Sequence, residues 1–95
     1  MGFQSEYETF FNMLLGIEFK RQRLFRSITT EDLSYRTDLD AKYLEDFENG
    51  LRTIDAVDLY KLCSFMDISL NDMYDYAFQE IDLLGYFFIQ PIYNA

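Results

Sequence analysis

Helix-breaking residues are scarce in this chain. Its 95 residues contain one proline, Pro91, and four glycines, at positions 2, 16, 50 and 85. So few helix-breaking residues favour helices. Hydrophobic residues make up 49% of the chain and aromatic residues 19%, which is enough for a packed core. Because a chain of this length holds one sizeable core, we predict a single all-α domain.

Apolar periodicity and capping residues predict five helices. In residues 5–26, apolar side chains recur at three- and four-residue steps, and Ser5 with Glu8 has the spacing of a capping box. Gly16 makes a kink or a break possible within this first helix. Each of the other four helices follows a residue that can cap it. These helices are predicted at about 30–37, 41–49, 56–66 and 70–84, after Thr29, Asp40, Asp55 and Ser69.

Turn residues separate the predicted helices. Asp38 and Asp67 stand where tight turns are needed, and aspartate tolerates positive φ better than most residues. Gly50 is expected to end the third helix, and Gly85 is expected to end the fifth. The apolar and aromatic tail, residues 86–93, is compatible with an extended segment that pairs edge to edge with a second copy.

Residues 15–74 carry several short motifs in a fixed register. The motifs are Leu15-Gly16, Phe19, Arg23, Ile28-Thr29-Thr30-Glu31-Asp32-Leu33-Ser34, Leu39-Asp40, Tyr43-Leu44, Phe47-Glu48, Gly50, and the apolar positions of the fourth and fifth helices. Together they resemble the helix-turn-helix domain of the Cro and phage-repressor (Xre-like) family over about residues 15–78. In that family the second and third helices form the helix-turn-helix.

The resemblance implies a five-helix, lambda-repressor-like domain at residues 15–78. Residues 1–14 then extend the first helix at its N-terminus, and residues 79–95 hold the end of the fifth helix and the apolar tail. Several positions depart from the family pattern. Ser27 and Asp38 replace turn glycines, Gln22 a core leucine, Thr30 a glutamine that contacts phosphate, and Ile54 a proline.

The same resemblance assigns candidate DNA contacts to the second and third helices and to the loop that follows them. The candidates are Thr30, Arg36, Ala41, Lys42, Glu45, Asp46 and Arg52. Of these, Lys42 can reach guanine or a phosphate, and Ala41 can touch a thymine methyl group. Arg36 and Arg52 flank the motif and can hold the DNA backbone.

Acidic residues dominate the same region. Residues 29–48 contain seven acids and two bases, a sum of −5, within a chain of net charge −9. Some of these acids are explained as helix caps, and Glu48 is expected to bind local backbone or Arg52. Glu45 and Asp46 have no structural explanation in the sequence. They can accept only from cytosine amino groups, and they repel nearby phosphates.

Basic residues cluster at the end of the first helix, at Lys20, Arg21, Arg23 and Arg26. This cluster can form a phosphate-binding edge. Alternatively, it complements the negative end of the helix dipole, and Arg23 packs or pairs internally.

Enzymatic and metal-binding classes are disfavoured. The chain has no histidine, and Cys63, its one cysteine, lies on an apolar helix stripe as a small core residue. We therefore expect no catalytic residues, no metal and no cofactor. No apolar run is long enough to span a membrane, and the N-terminus does not resemble a signal peptide, so a cytoplasmic protein is expected.

Two functions remain open. The resemblance implies a small transcriptional regulator, like those of phages and mobile elements, that binds operator DNA as a dimer. The charge favours an acidic protein that binds a basic protein surface, as an antirepressor or a DNA-mimic inhibitor would. Apolar side chains in residues 3–14 and 83–93 either pack on their own domain or form a homodimer interface.

Overall fold

The computed structural model describes the backbone of residues 6–93 and the side chains of residues 6–83. Five helices follow one another: α1 (Glu6–Phe25), α2 (Thr30–Thr37), α3 (Ala41–Glu48), α4 (Ala56–Met66) and α5 (Leu70–Tyr93). Turns and loops join them, and the described residues contain no strand. The all-α prediction and the order of the helices are therefore confirmed.

The core lies where the five helices meet. Its fully buried members come from every helix: Leu15, Phe19, Leu33, Leu44, Phe47, Leu59, Leu62, Cys63, Met66, Met73 and Ala77. The rings of Phe19 and Phe47 lie 5.7 Å apart at a tilted angle and join α1 to α3. Most of these positions are apolar positions of the motif register, so the register also marks the core.

Three short turns depend on left-handed backbone conformations at residues other than glycine. Ser27, Asp38 and Asp67 have φ angles of 56°, 63° and 57°. Asp38 and Asp67 end α2 and α4, and each donates its backbone N–H to a carbonyl in the last turn of its helix. The predicted turns at these two aspartates are confirmed, because a short polar side chain bears this geometry at modest cost.

Neither Gly16 nor Gly85 interrupts its helix. α1 runs without a break through Gly16. α5 continues through Gly85 to Tyr93, so both the predicted stop at Gly85 and the extended tail are wrong. A glycine ends a helix when it adopts the left-handed conformation; otherwise it costs only about 1 kcal/mol inside the helix. Because residues 86–93 are helical, edge-to-edge pairing of tail strands is also wrong.

α1 and α5 pack along each other through aromatic side chains. The ring of Phe11 stacks on Tyr74 at 5.8 Å and meets Phe78 at 4.7 Å. Part of the apolar surface of residues 3–14 is thus used within the domain. Tyr7 and Leu83 remain exposed, while Phe3 and the expected cap at Ser5 lie outside the described residues. In the described part of the chain, no helix has the length and apolarity needed to cross a bilayer.

Candidate nucleic-acid interface

α2 and α3 meet at a sharp corner whose geometry is set by local caps. The Thr29 hydroxyl accepts from the backbone N–H of Asp32 at 3.0 Å, and the Asp40 carboxylate accepts from that of Lys42 at 3.0 Å. Asp38, in its left-handed conformation, reverses the chain between the two helices. Both predicted caps are confirmed, so the start of α3 is fixed by residues next to it in sequence.

α3 buries one face and leaves the other at the surface. Leu44, Phe47 and Glu48 are buried on the inner face. Lys42 is exposed, whereas Glu45 and Asp46 are partly exposed. Ala41 is also partly exposed. The four residues expected to face a groove therefore stand at the surface, with Lys42 reaching furthest into solvent.

The end of α3 lies directly against α1. A Cβ atom at Gly16 would come 2.2 Å from the carbonyl oxygen of Phe47, so only glycine allows this approach. Next to it, the Arg23 guanidinium binds the Glu48 carboxylate in a bidentate pair, with N···O distances of 2.6 and 2.8 Å. Both side chains are buried. The expected binding of Glu48 to local backbone or Arg52 is wrong, because Arg23 reaches both oxygens of the carboxylate from within the core.

Lys42 and Asp46 form an ion pair on the outer face of α3. The Lys42 ammonium donates to Oδ1 of Asp46 at 2.7 Å, across one helical turn. This hydrogen bond and the carboxylate charge raise the pKa of Lys42. The lysine most suited to a DNA contact is therefore held by an acid of its own helix.

Glu45 is tied to the beginning of α2. The Thr30 hydroxyl donates to Oε2 of Glu45 at 3.1 Å, and Thr30 itself is buried. Two of the expected contact residues thus bind each other and join α2 to α3. Glu45 and Asp46 both have structural partners, which corrects the expectation that they lack a structural explanation.

Arg36 and Arg52 lie over aromatic rings. The Arg36 guanidinium is 5.6 Å from the Phe65 ring centroid, and its Nε donates to Asp32 at 3.3 Å. The Arg52 guanidinium lies 4.4 Å from the Tyr43 ring centroid. Such contacts are weak when solvent-exposed, so both side chains can be redirected toward a phosphate at small cost.

Tyr43 connects α3 to the start of α4. Its hydroxyl donates to the Asp58 carboxylate at 2.8 Å and accepts from the backbone N–H of Asp55 at 3.0 Å.

The sequence analysis missed the ion pairs of Arg36 and Lys42 and the ring contacts of Arg36 and Arg52. The four-residue spacing of Asp32 to Arg36, and of Lys42 to Asp46, signals both ion pairs. No local signal in the sequence predicts that Arg36 lies over Phe65 or that Arg52 lies over Tyr43.

The basic residues at the end of α1 divide between the interior and the surface of the domain. Arg21 binds the Glu18 carboxylate through two donors, at 2.9 and 2.6 Å. Arg26 donates to the Met66 carbonyl at 2.9 Å, and Arg23 donates to the Ile28 carbonyl at 2.8 Å. Lys20 is exposed. The expectation that Arg23 pairs internally is thus confirmed, while Arg21 and Lys20 stand at the surface.

Cys63 lies in the core, away from the surface of α3. Burial raises the pKa of the Cys63 thiol to about 11, and its Sγ lies 3.6 Å from Sδ of Met73. Among the residues whose positions are described, no three acidic or cysteine side chains are grouped closely enough to hold a metal ion.

The fold and the exposed helix α3 define a helix-turn-helix protein. The model of one protein family, the Cro/C1-type HTH DNA-binding domain, matches residues 21–79. This match covers more than half of the chain, and the chain therefore belongs to that family. No curated protein and no solved structure matches it significantly.

Proposed function

We propose that the protein is a transcriptional regulator that binds operator DNA with the N-terminal part of α3 in the major groove. The observation that carries this proposal is the arrangement of α3. One face is fixed by Leu44, Phe47 and the buried Arg23–Glu48 pair, and the opposite face presents Lys42 to solvent. A rigid helix with an outward polar face is what groove reading requires. The role is binding without catalysis.

In this proposal Lys42 contacts a base or a phosphate, and Arg36 and Arg52 hold the backbone on either side. Thr30 keeps α2 and α3 together through Glu45 rather than by contacting DNA. To reach a phosphate, Arg36 leaves an exposed ion pair with Asp32 and a contact with the Phe65 ring. Arg52 leaves the Tyr43 ring and a long hydrogen bond to the Thr53 carbonyl. Few phosphate contacts imply modest affinity that falls with salt.

The test is a titration of labelled duplexes from the protein's own upstream region at about 50 mM salt, where a few phosphate contacts suffice for binding. We expect Lys42→Ala and Arg52→Ala to weaken binding by about tenfold each. Lys61→Ala removes the same charge from an exposed position on α4 and is expected to change little. If no duplex is bound at this salt by a folded protein, the regulator proposal is wrong.

We further propose that the regulator acts in the cytoplasm as a homodimer through residues 3–14 and 83–93. The support is that each of the two segments leaves an apolar side chain exposed: Tyr7 is 45% exposed and Leu83 is 59% exposed. Paired half-sites on DNA are matched by a two-fold symmetric protein.

Sedimentation velocity at increasing protein concentration tests the dimer. Tyr7→Glu combined with Leu83→Glu is expected to yield a monomer, because charge would be buried in the interface. Tyr60→Glu is the matched control, since Tyr60 is exposed on α4. A wild-type protein that stays monomeric at all concentrations contradicts this part of the proposal.

A second candidate function is supported by charge. The net charge is −9, and Asp46 neutralises the exposed lysine of α3. Such a surface is electrostatically suited to the basic groove of a DNA-binding protein, as expected for an antirepressor or a DNA-mimic inhibitor.

This candidate predicts a complex with a basic protein and no affinity for duplex DNA. Glu45→Lys with Asp46→Lys is expected to release the partner. Asp72→Lys with Asp75→Lys makes the same charge change at exposed positions of α5 and is expected to retain it. Partner binding that survives the α3 double substitution contradicts the mimic.

A further inference from the structure

We propose that Asp46 selects cytosine in the DNA major groove, and that the Lys42–Asp46 pair together reads G·C base pairs. This inference rests on the proposed function, since it concerns the base preference of a DNA-binding α3. It assigns to the acidic face of α3 a role in specificity, whereas its charge alone would only oppose DNA.

The first support is the position of the Asp46 carboxylate. Oδ1 of Asp46 holds the Lys42 ammonium, while no residue of the described chain donates a hydrogen bond to Oδ2. The side chain of Asp46 is 24% exposed, and that of Lys42 is 72% exposed. Asp46 therefore keeps an acceptor at the surface of α3, and its partner lies beside it on the same face.

The second support is that the neighbouring acid is already engaged. Glu45 accepts from the Thr30 hydroxyl and is held toward α2. Asp40 is also occupied, as the cap of α3. Asp46 is thus the carboxylate of α3 that pairs with the exposed lysine, whereas Glu45 is held toward α2 and Asp40 at the start of the helix.

The chemistry of base edges then determines what this oxygen can bind. In the major groove, guanine presents two acceptors, thymine one acceptor and a methyl group, and adenine an acceptor beside its amino group. Cytosine presents an amino donor without an acceptor. A carboxylate accepts only, so it is repelled by the acceptor edges and is best satisfied by the cytosine N4 amino group.

Lys42 complements this preference. An ammonium donates to O6 and N7 of guanine, which are the acceptors that repel a carboxylate. The pair thus presents one donor group and one acceptor group side by side, with Nζ of Lys42 2.7 Å from Oδ1 of Asp46. Because Asp46 also neutralises Lys42, nonspecific attraction to phosphates is reduced and base contacts decide more of the affinity.

The experiment is selection from a randomised duplex library, performed separately with wild-type protein and with Asp46→Asn. The wild type is expected to enrich cytosine at one position of the site. Asp46→Asn is expected to reduce that preference by about tenfold and to shift it toward adenine, because an amide can bond both N6 and N7 of adenine. Titration of duplexes that differ at this one base pair measures the change.

Asp75→Asn is the matched control, because it removes the same charge from an exposed position on α5. It is expected to keep the wild-type base preference. Circular dichroism and thermal unfolding establish that each variant is folded.

The outcomes are distinct. If wild type and Asp46→Asn select the same base at every position, the inference is overturned while DNA binding stands. If folded wild-type protein enriches no duplex, the proposed function fails, and this inference fails with it.

Discussion

At the scale of single residues, two ion pairs of very different burial serve different purposes. Arg23 and Glu48 are 9% and 3% exposed, whereas Arg36 and Asp32 are 56% and 46% exposed. A buried charge that loses its partner is left uncompensated, which costs about 3–5 kcal/mol. An exposed pair contributes about 0–1 kcal/mol. The buried pair therefore fixes α3 on α1, while the exposed pair leaves Arg36 available.

The first prediction concerns the buried pair. Arg23→Leu is expected to lower the free energy of unfolding by about 3–5 kcal/mol, because the Glu48 carboxylate stays buried without a cation. Arg36→Ala, the control, is expected to cost less than about 1 kcal/mol. Urea unfolding measures both. Similar losses in the two variants would show that burial does not decide the contribution of these pairs.

The second prediction concerns the pH dependence of stability. Burial alone would raise the pKa of Glu18, but hydrogen bonds from Arg21 and Gln22 outweigh it and lower that pKa from 4.5. A lowered folded-state pKa stabilises the protein above about pH 4.5, and this contribution is lost as the pH falls through the folded-state value. Glu18→Gln is therefore expected to flatten the decrease in stability on acidification.

Urea midpoints of wild type and Glu18→Gln, measured between about pH 6 and 3, test this expectation. Glu6→Gln, at an exposed position near the start of the same helix, is the control. Parallel curves for wild type and Glu18→Gln would contradict the proposed effect of the Glu18 network.

At the scale of helices, local signals predict the boundaries well and long-range packing poorly. The caps at Thr29, Asp40 and Asp55 and the turn at Asp38 are set by residues within four positions, so the sequence identifies them. The end of α5 is wrong because Gly85 can end a helix or continue it, and the choice depends on backbone context.

In the candidate interface, too, the sequence predicts the features set by local signals and misses those set by long-range packing. Positions 41, 42, 45 and 46 were expected at the surface, because helical periodicity and the motif register determine which side of α3 faces outward. The partner of Glu48 lies 25 residues away in sequence, and that of Arg36 is a ring on α4. Such contacts depend on how whole helices pack, which the sequence of either helix alone does not contain.

The third prediction concerns the contact between α1 and α3. Gly16→Ala would normally favour a helix by about 1 kcal/mol. Here the added Cβ meets the Phe47 carbonyl at 2.2 Å, so the helices must separate, and a net loss of about 1–3 kcal/mol is expected. Ile17→Ala, on the exposed side of α1, is expected to cost less. Thermal unfolding measures both, and a stabilised Gly16→Ala protein would contradict the close approach.

At the scale of the whole molecule, the net charge of −9 acts on DNA differently from the local pairs of α3. Charges act over about 30 Å at 0.01 M salt, but over only about 8 Å at 0.15 M. At low salt the entire acidic surface opposes a duplex. At physiological salt only the charges near α3 still act.

The fourth prediction separates these two ranges with one duplex that the wild type binds. Asp72→Asn with Asp75→Asn, two exposed changes on α5, is expected to raise affinity at about 10 mM salt but not at about 150 mM. Asp46→Asn is expected to raise affinity for a duplex of unrelated sequence at both salts, because it releases Lys42 from its partner.

Anisotropy titrations at the two salt concentrations measure these changes. An equal gain at 150 mM from the α5 substitutions would mean that α5 itself lies beside the DNA, and the assignment of the interface to α3 would then be wrong.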